Sequence, residues 1–255
     1  MRYKPAEVKP QITQIVGRMQ ELSKSHPRWG YRLVHGVLRR EFGLINPKKV
    51  YRLWREHGFA VPRKRVYKRR YCNSNRHMSA ISSNSIWAFD FVFDECANGQ
   101  KLKCFAVKDE FTRECLGITV EARMRSSAVI GNLERMCVLH GQPDFMRCDN
   151  GPEFIFSSIK KWALQRGICL AYTDPGKPWQ NGSAESFNSC FRNECLNAEL
   201  FSCRAEARVV IEEWRKTYNE LRPHSALGYR TPAEVRRQSL SACQIRKRPA
   251  IPAAA

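Results

Sequence analysis

A chain of 255 residues with 43% apolar and 11% aromatic content has material for one medium domain and a small one, and is no disordered polymer. Its 44 basic residues against 24 acidic ones leave a net charge of +20, a field that draws polyanions, nucleic acid before membrane surface. No apolar run nears the ~18 residues of a membrane span, and MRYKPAEVKP lacks the apolar core of a secretory signal. Eleven cysteines without a C-x-x-C pair then predict buried thiols in a reducing cytoplasm rather than disulfides or zinc.

Residues 11–59 read as helical. QITQIVGRMQELSK places Ile12, Ile15, Val16, Met19 and Leu22 at helical spacing. RWGYRLVHGVLRREFG repeats the pattern and stops at Gly43. NPKKVYRLWREHG opens with Asn46 as N-cap and Pro47 at the first helical position, and closes at Gly58. The short GLIN turn between the last two predicts a helix-turn-helix within a small DNA-binding domain, residues 1–61. The third helix offers Lys48, Lys49, Arg52 and Arg55 to a DNA groove or phosphates. A small basic bundle with a solvated face is the plainer reading of the same pattern. Residues 62–85 follow as a linker. PRKRVYKRRY has six basic residues and no apolar period, so it gathers phosphates without reading sequence.

The texture changes at residue 86. SIWAFDFVFDE, KLKCFAVKDE and ECLGITVEA are strands by aromatic and β-branched content, the first two joined across ANGQ. Then come a helix capped by Ser126 or Ser127 and closed by Gly141, the strand DFMRCD, the helix PEFIFSSIKKWALQRG, the strand ICLAYT, a loop, and the helix SAESFNSCFRNECL. The order βββαβαβα predicts an α/β fold, a mixed sheet flanked by helices, over 86–203. A helical extension (204–241) and a disordered tail (242–255) complete the chain.

Three acids stand out. Asp90 lies in mid-strand between two largely apolar faces, which predicts a doubly buried central strand, where a carboxylate needs an arginine or a metal. Asp149 ends a strand before the turn Asn150-Gly151, where open sheets bind ligands, although aspartate there also serves as a helix cap. Glu185 shares a helical stripe with Asn181, Asn188 and Arg192, while Ala184, Phe187, Phe191 and Cys195 form the stripe that packs down. A solvated acid–base face is the bland alternative. Asp94 and Glu153 are secondary candidates; His35, His57 and His140 sit in helical patterns and read as structural. Arg222, His224 and Tyr229 imitate a tyrosine recombinase, but Leu227 stands where its second arginine belongs.

W-x-x-D at Trp87–Asp90, DNGPEF from Asp149, NGSAESFNSCFR from Asn181 and YNELRPHSALGYRTPAE from Tyr218 resemble, as an ordered set, the integrase-core (DDE) transposases of bacterial insertion sequences. The second-frame protein of insertion-sequence family three is the nearest branch. The resemblance spans about residues 10–238, with 35 residues between Asp149 and Glu185. It implies an RNase H-like integrase core behind a helix-turn-helix, and an acid triad Asp90, Asp149 and Glu185 that holds Mg²⁺, with Mn²⁺ able to substitute. It implies Arg192 at the DNA end beside Asn188. It also implies metal-dependent cleavage and strand transfer of insertion-sequence ends by in-line phosphoryl transfer. A DNA-binding repressor of the ends and an RNase H-like nuclease are the alternatives. The implied partners are terminal-repeat and target DNA, an upstream-frame protein joined by frameshift fusion, and further copies of the chain on DNA. The implied location is the bacterial cytoplasm at the nucleoid. The His-His-Cys-Cys zinc domain of retroviral integrases is missing, since no cysteine precedes Cys72.

Overall fold

The computed structural model describes residues 10–59, 61, 79–148, 153–172 and 182–246, with backbone alone for residues 10, 153–156, 172 and 242–246. They fall into two compact units, residues 1–72 with 222–230, and 73–221 with 231–255.

The first unit holds α1 (Pro10–Ser25), α2 (Tyr31–Phe42) and α3 (Pro47–Glu56). Ile15, Met19, Val34, Leu38, Val50 and Trp54 are buried, the helical stripes that the spacing requires. The Asn46 side chain accepts from the Lys48 amide at 2.8 Å, the expected cap. His35 Nε2 bonds the Ile45 carbonyl at 2.9 Å and so pins the turn between α2 and α3. The second helix starts at Tyr31, three residues after the expected start, because Gly30 is its extended N-cap. The distant stretch 222–230 belongs to this unit. A Cβ on Gly36 of α2 would stand 2.8 Å from Pro223 Cβ, so glycine is what admits the stretch against that helix. It is a closed turn: the His224 amide donates to Arg230 O at 3.0 Å and the Tyr229 amide to His224 O at 2.8 Å.

The second unit is a five-stranded sheet in the order β3-β2-β1-β4-β5. Its strands are β1 (Ile86–Glu95), β2 (Lys101–Asp109), β3 (Cys115–Glu121), β4 (Phe145–Cys148) and β5 (Cys169–Tyr172). The first three run antiparallel; β4 and β5 run parallel to β1. Helices α4 (Ser126–His140), α5 (Glu153–Gln165), α6 (Gly182–Phe191), α7 (Arg204–Glu220) and α8 (Pro232–Arg246) complete it. One face of the sheet packs Trp87, Phe89, Phe105 and Met146 against Leu133 of α4 and Ile159 of α5. The other packs Val92, Cys104, Ala106 and Cys115 against Phe187 and Phe191 of α6 and Ala207 and Ile211 of α7. The expected βββαβαβα order, mixed sheet and central β1 are present.

Several details differ from the sequence expectation. Both faces of β1 were expected to be covered along its length, yet Phe93 is 61% exposed and Asp90 half-buried. Among the described residues β1 pairs β4 over Ile86–Ala88, so its second half has no parallel neighbour there. Neither Ser126 nor Ser127 caps α4: Arg125 is the N-cap, without a side-chain bond, and Ser126 is already helical. The helix after Gly182 changes to a π turn over Arg192–Leu196. The last helix runs on to Arg246, into the stretch expected as tail. Residues 247–255 and the linker residues 62–78 lie outside the described residues. Among the described residues no helix is long and apolar enough to cross a membrane.

Candidate functional site

Asp90 stands opposite Ala106 in the middle of β1, on the face that α6 and α7 cover. Its Oδ1 accepts from the Phe91 amide at 2.7 Å, and its Oδ2 from Asn188 Nδ2 at 2.6 Å. The second bond joins residues 98 apart in the chain. It also decides which way the Asn188 amide points, since only its NH₂ can face a carboxylate. The Asn188 Oδ1 is left buried without a partner, a cost to folding unless function uses it.

The helix α6 is held down by Ala184, Phe187 and Phe191, all buried. Phe187 meets Tyr218 of α7 edge-on at 5.2 Å between ring centroids. This apolar stripe aims the opposite one outward. Glu185, exposed in the first turn, stands three residues from Asn188 and therefore on the same face. Arg192 begins the π turn; its Nη2 donates to the Phe93 carbonyl at 2.7 Å and its Nη1 is 4.0 Å from Asp94. The structure thus gathers Asp90 and Asn188, with Arg192 on the exposed end of β1. Asn188, expected on a DNA face, is engaged with Asp90 here.

Asp149 lies outside the described residues; β4 ends at Cys148, the residue before it. The side chain of Glu153 is likewise outside them. Among the described residues no three His, Cys, Asp or Glu side chains gather as a metal site. Asp90 and Glu185 themselves offer carboxylate oxygens, the donor type of a hard divalent cation. No disulfide joins the described cysteines. Burial pushes the thiols of Cys104, Cys115 and Cys195 up to about 12, so they stay protonated and poor ligands.

In the first unit Lys48, Arg52 and Arg55 are exposed and Lys49 is half-buried. The Arg55 guanidinium lies 5.9 Å from the Tyr51 ring centroid, which stiffens it without removing its charge. Arg52 is only 3.5 Å from Glu56, a weak surface pair that a phosphate can replace.

Sequence reading missed two features beside the acids. Lys108 of β2 is 4% exposed and donates to the Ser183 carbonyl at 2.8 Å; Arg113 donates to Ser183 Oγ at 2.8 Å. Further along the sheet Arg147 Nη1 bonds both oxygens of Glu110, at 2.9 and 2.8 Å. A lysine within a strand-like run and an arginine in a turn carry no signal of a partner 70 or more residues away.

Residues 81–178 and 166–232 match the integrase core domain, and residues 12–67 an HTH-like domain. An uncharacterized protein of insertion element IS407 from Burkholderia multivorans is 42% identical over 222 residues, covering 86% of this chain and 79% of that protein. The chain belongs to the integrase-core transposases of bacterial insertion sequences. An uncharacterized protein of IS476 from Xanthomonas euvesicatoria is 40% identical across 88% of this chain, which spans 65% of that protein's length. The transposase InsD of IS2 from Escherichia coli is 29% identical over 238 residues, covering 89% of this chain and 79% of its own. Among solved structures, the HTLV-2 integrase catalytic core domain in complex with magnesium superposes with a TM-score of 0.50 at 20% identity, over 61% of this chain and 97% of that one. A chain of the simian T-cell lymphotropic virus intasome in complex with PP2A regulatory subunit B56 gamma reaches 0.56 at 16% identity, over 86% of this chain and 74% of that one. These structural likenesses concern the fold.

Proposed function

We propose that this transposase cuts and joins the ends of its insertion sequence by in-line phosphoryl transfer, with Asp90, Asp149 and Glu185 as the reacting acids. The observation that carries the reading is the hydrogen bond from Asn188 to Asp90. It ties the acid of the central strand to the stripe of α6 that bears Glu185, in a family whose members move DNA. The three carboxylates would hold Mg²⁺, or Mn²⁺ in its place. When bound, such ions clamp the attacking and leaving oxygens of a displacement and lower the pKa of water. The protein's own task is positioning. Asn188 fixes the Asp90 carboxylate, and the apolar stripe of α6 aims Glu185. Arg192 exchanges the Phe93 carbonyl for a phosphate of the DNA end, a charge-assisted bond that a guanidinium makes well.

The first unit holds terminal-repeat DNA through Lys48, Lys49, Arg52 and Arg55 on α3, with the basic linker adding salt-sensitive affinity. The working form is a multimer on transposon and target DNA, made as a frameshift fusion to an upstream-frame protein, at the bacterial nucleoid. A strand-transfer assay with labelled end DNA, Mg²⁺ and the fused protein tests this, with Asp149→Asn as control. Joined product that vanishes in the variant is expected. Binding without cleavage or joining, in both proteins alike, would leave a repressor of the ends. Cleavage without joining would leave a nuclease.

A further inference from the structure

Ser183 is the second residue of α6 and stands two before Glu185. Two basic side chains grip it, one from β2 and one from the β2–β3 turn. Lys108 Nζ meets its carbonyl at 2.8 Å, and Arg113 Nη1 meets its hydroxyl at 2.8 Å. The placement is costly on general grounds. The N-terminus of a helix is its positive end, and a buried ammonium is expensive without an anion. Among the described residues Lys108 makes no ion pair. Packing alone does not call for two cations here.

The sheet is built to hold them there. The β2–β3 register shifts between Val107 and Lys108, a bulge of the kind that re-aims a side chain. The β2–β3 turn is tied by Asp109, whose Oδ1 accepts from the Thr112 amide at 2.7 Å and whose Oδ2 accepts from the Asn84 amide at 2.6 Å. Arg113 holds a left-handed backbone in this turn, φ 62°, a conformation that a non-glycine residue keeps only where its surroundings enforce it. Meanwhile Glu185 makes no hydrogen bond or ion pair among the described residues. The cations hold its neighbour and leave its carboxylate available.

We propose that Lys108 and Arg113 are positioning residues of the transposase: by holding the carbonyl and the hydroxyl of Ser183 they fix the first turn of α6, and with it the place of Glu185. The inference rests on Glu185 being one of the reacting acids. A misplacement of about 1 Å costs on the order of 10²-fold in rate, so the grip is felt in the chemical step and not in DNA binding.

The test compares the full chain with Arg113→Met, Ser183→Ala, their double variant, Arg113→Lys and Lys108→Met. Three quantities are read: cleavage rate on labelled end DNA at saturating DNA, the Mg²⁺ concentration for half-maximal rate, and amide hydrogen exchange of residues 183–188 without metal. Arg113→Met and Ser183→Ala should each slow cleavage by about 10- to 10²-fold, the double variant no further, and Arg113→Lys should keep most of the rate. The Mg²⁺ midpoint should rise and the first turn of α6 should exchange faster, while end-DNA binding stays the same. Additive losses, or an unmoved midpoint and exchange pattern, overturn the proposal. If Lys108→Met does not fold, the Arg113–Ser183 pair still decides. If the wild-type chain cleaves no ends, the transposition reading fails, but the exchange measurement still tests the grip by itself.

Discussion

On one face of the sheet Trp87, Phe89, Phe105, Val107 and Met146 meet α4 and α5, and the packing is apolar apart from Asn132. On the other face, toward α6 and α7, the same strands present smaller groups, Cys104, Ala106 and Cys115. Beside them stand Asp90, Lys108 and the Arg147–Glu110 pair. Both faces exclude water, but by different means. The first gains dispersion and apolar burial with few directional demands. The second spends part of that gain on polar groups that must each find a partner. A fold needs the first kind of face; the second kind is retained where charge has work to do.

The largest expected difference between the faces is in activity. Asp90→Asn keeps the shape but leaves one acceptor oxygen for the Phe91 and Asn188 donors, and strand transfer should fall by about 10³-fold or more, the scale on which loss of one pre-organised electrostatic group is felt. Thermal unfolding without metal should fall by no more than the loss of one hydrogen bond, about 1 kcal/mol. Trp87→Ala on the opposite face should do the reverse. Trp87 is wholly buried and donates to Asn84 Oδ1 at 3.0 Å, so denaturant unfolding should show a loss of about 3–5 kcal/mol. Activity should fall only as far as the folded fraction does. An Asp90→Asn protein that unfolds as readily as Trp87→Ala would erase the contrast.

Apolar packing was legible on both faces. Period-two aromatic content marked β1, and helical spacing marked the buried stripe of α6, Ala184, Phe187 and Phe191, because those signals are local. Asp90 and Glu185 were legible as chemistry because acids stand out against an apolar strand and on a patterned helix. Lys108, Arg113 and Arg147 were not, since their meaning lies in partners 75, 70 and 37 residues away. Gly36 was illegible for the same reason: it reads as a weak spot in a helix until Pro223 is found against it. The exposure of Phe93 depends on its neighbours in the fold, which no property of β1 records.

The Arg147–Glu110 pair sharpens the comparison at intermediate size. Their side chains are 11% and 7% exposed, so removing one partner strands a buried charge. Glu110→Gln should cost about 3 kcal/mol in denaturant unfolding, toward the lower end for such pairs. Arg147→Met with Glu110→Leu should recover part of that loss, because the two buried charges are removed together and neither faces the other's vacancy. A double variant as unstable as the single one would mean that Arg147 serves the fold through further partners and that charge on this face is structural.

The most gradual effect expected is a slope in pH. Burial, then the nearby Arg113, push the Lys108 ammonium down from 10.5 to about 7. Between those values the unfolded chain binds a proton at this site that the folded chain does not. Stability contributed by Lys108 therefore rises with pH from about 7 toward 10.5, by at most about 1.4 kcal/mol per pH unit. Lys108→Met should flatten the curve over that window. Its stability relative to wild type should be most favourable at and below pH 7, where the buried ammonium costs most. His140 supplies an internal control. Burial and Arg236 push it down from 6.5 to about 4, so its own contribution also rises with pH, but between about 4 and 6.5, and Lys108→Met should leave that lower window unchanged. A variant that keeps the upper slope would show that Lys108 stays charged when folded, held by the carboxylates of this face rather than opposed by its burial.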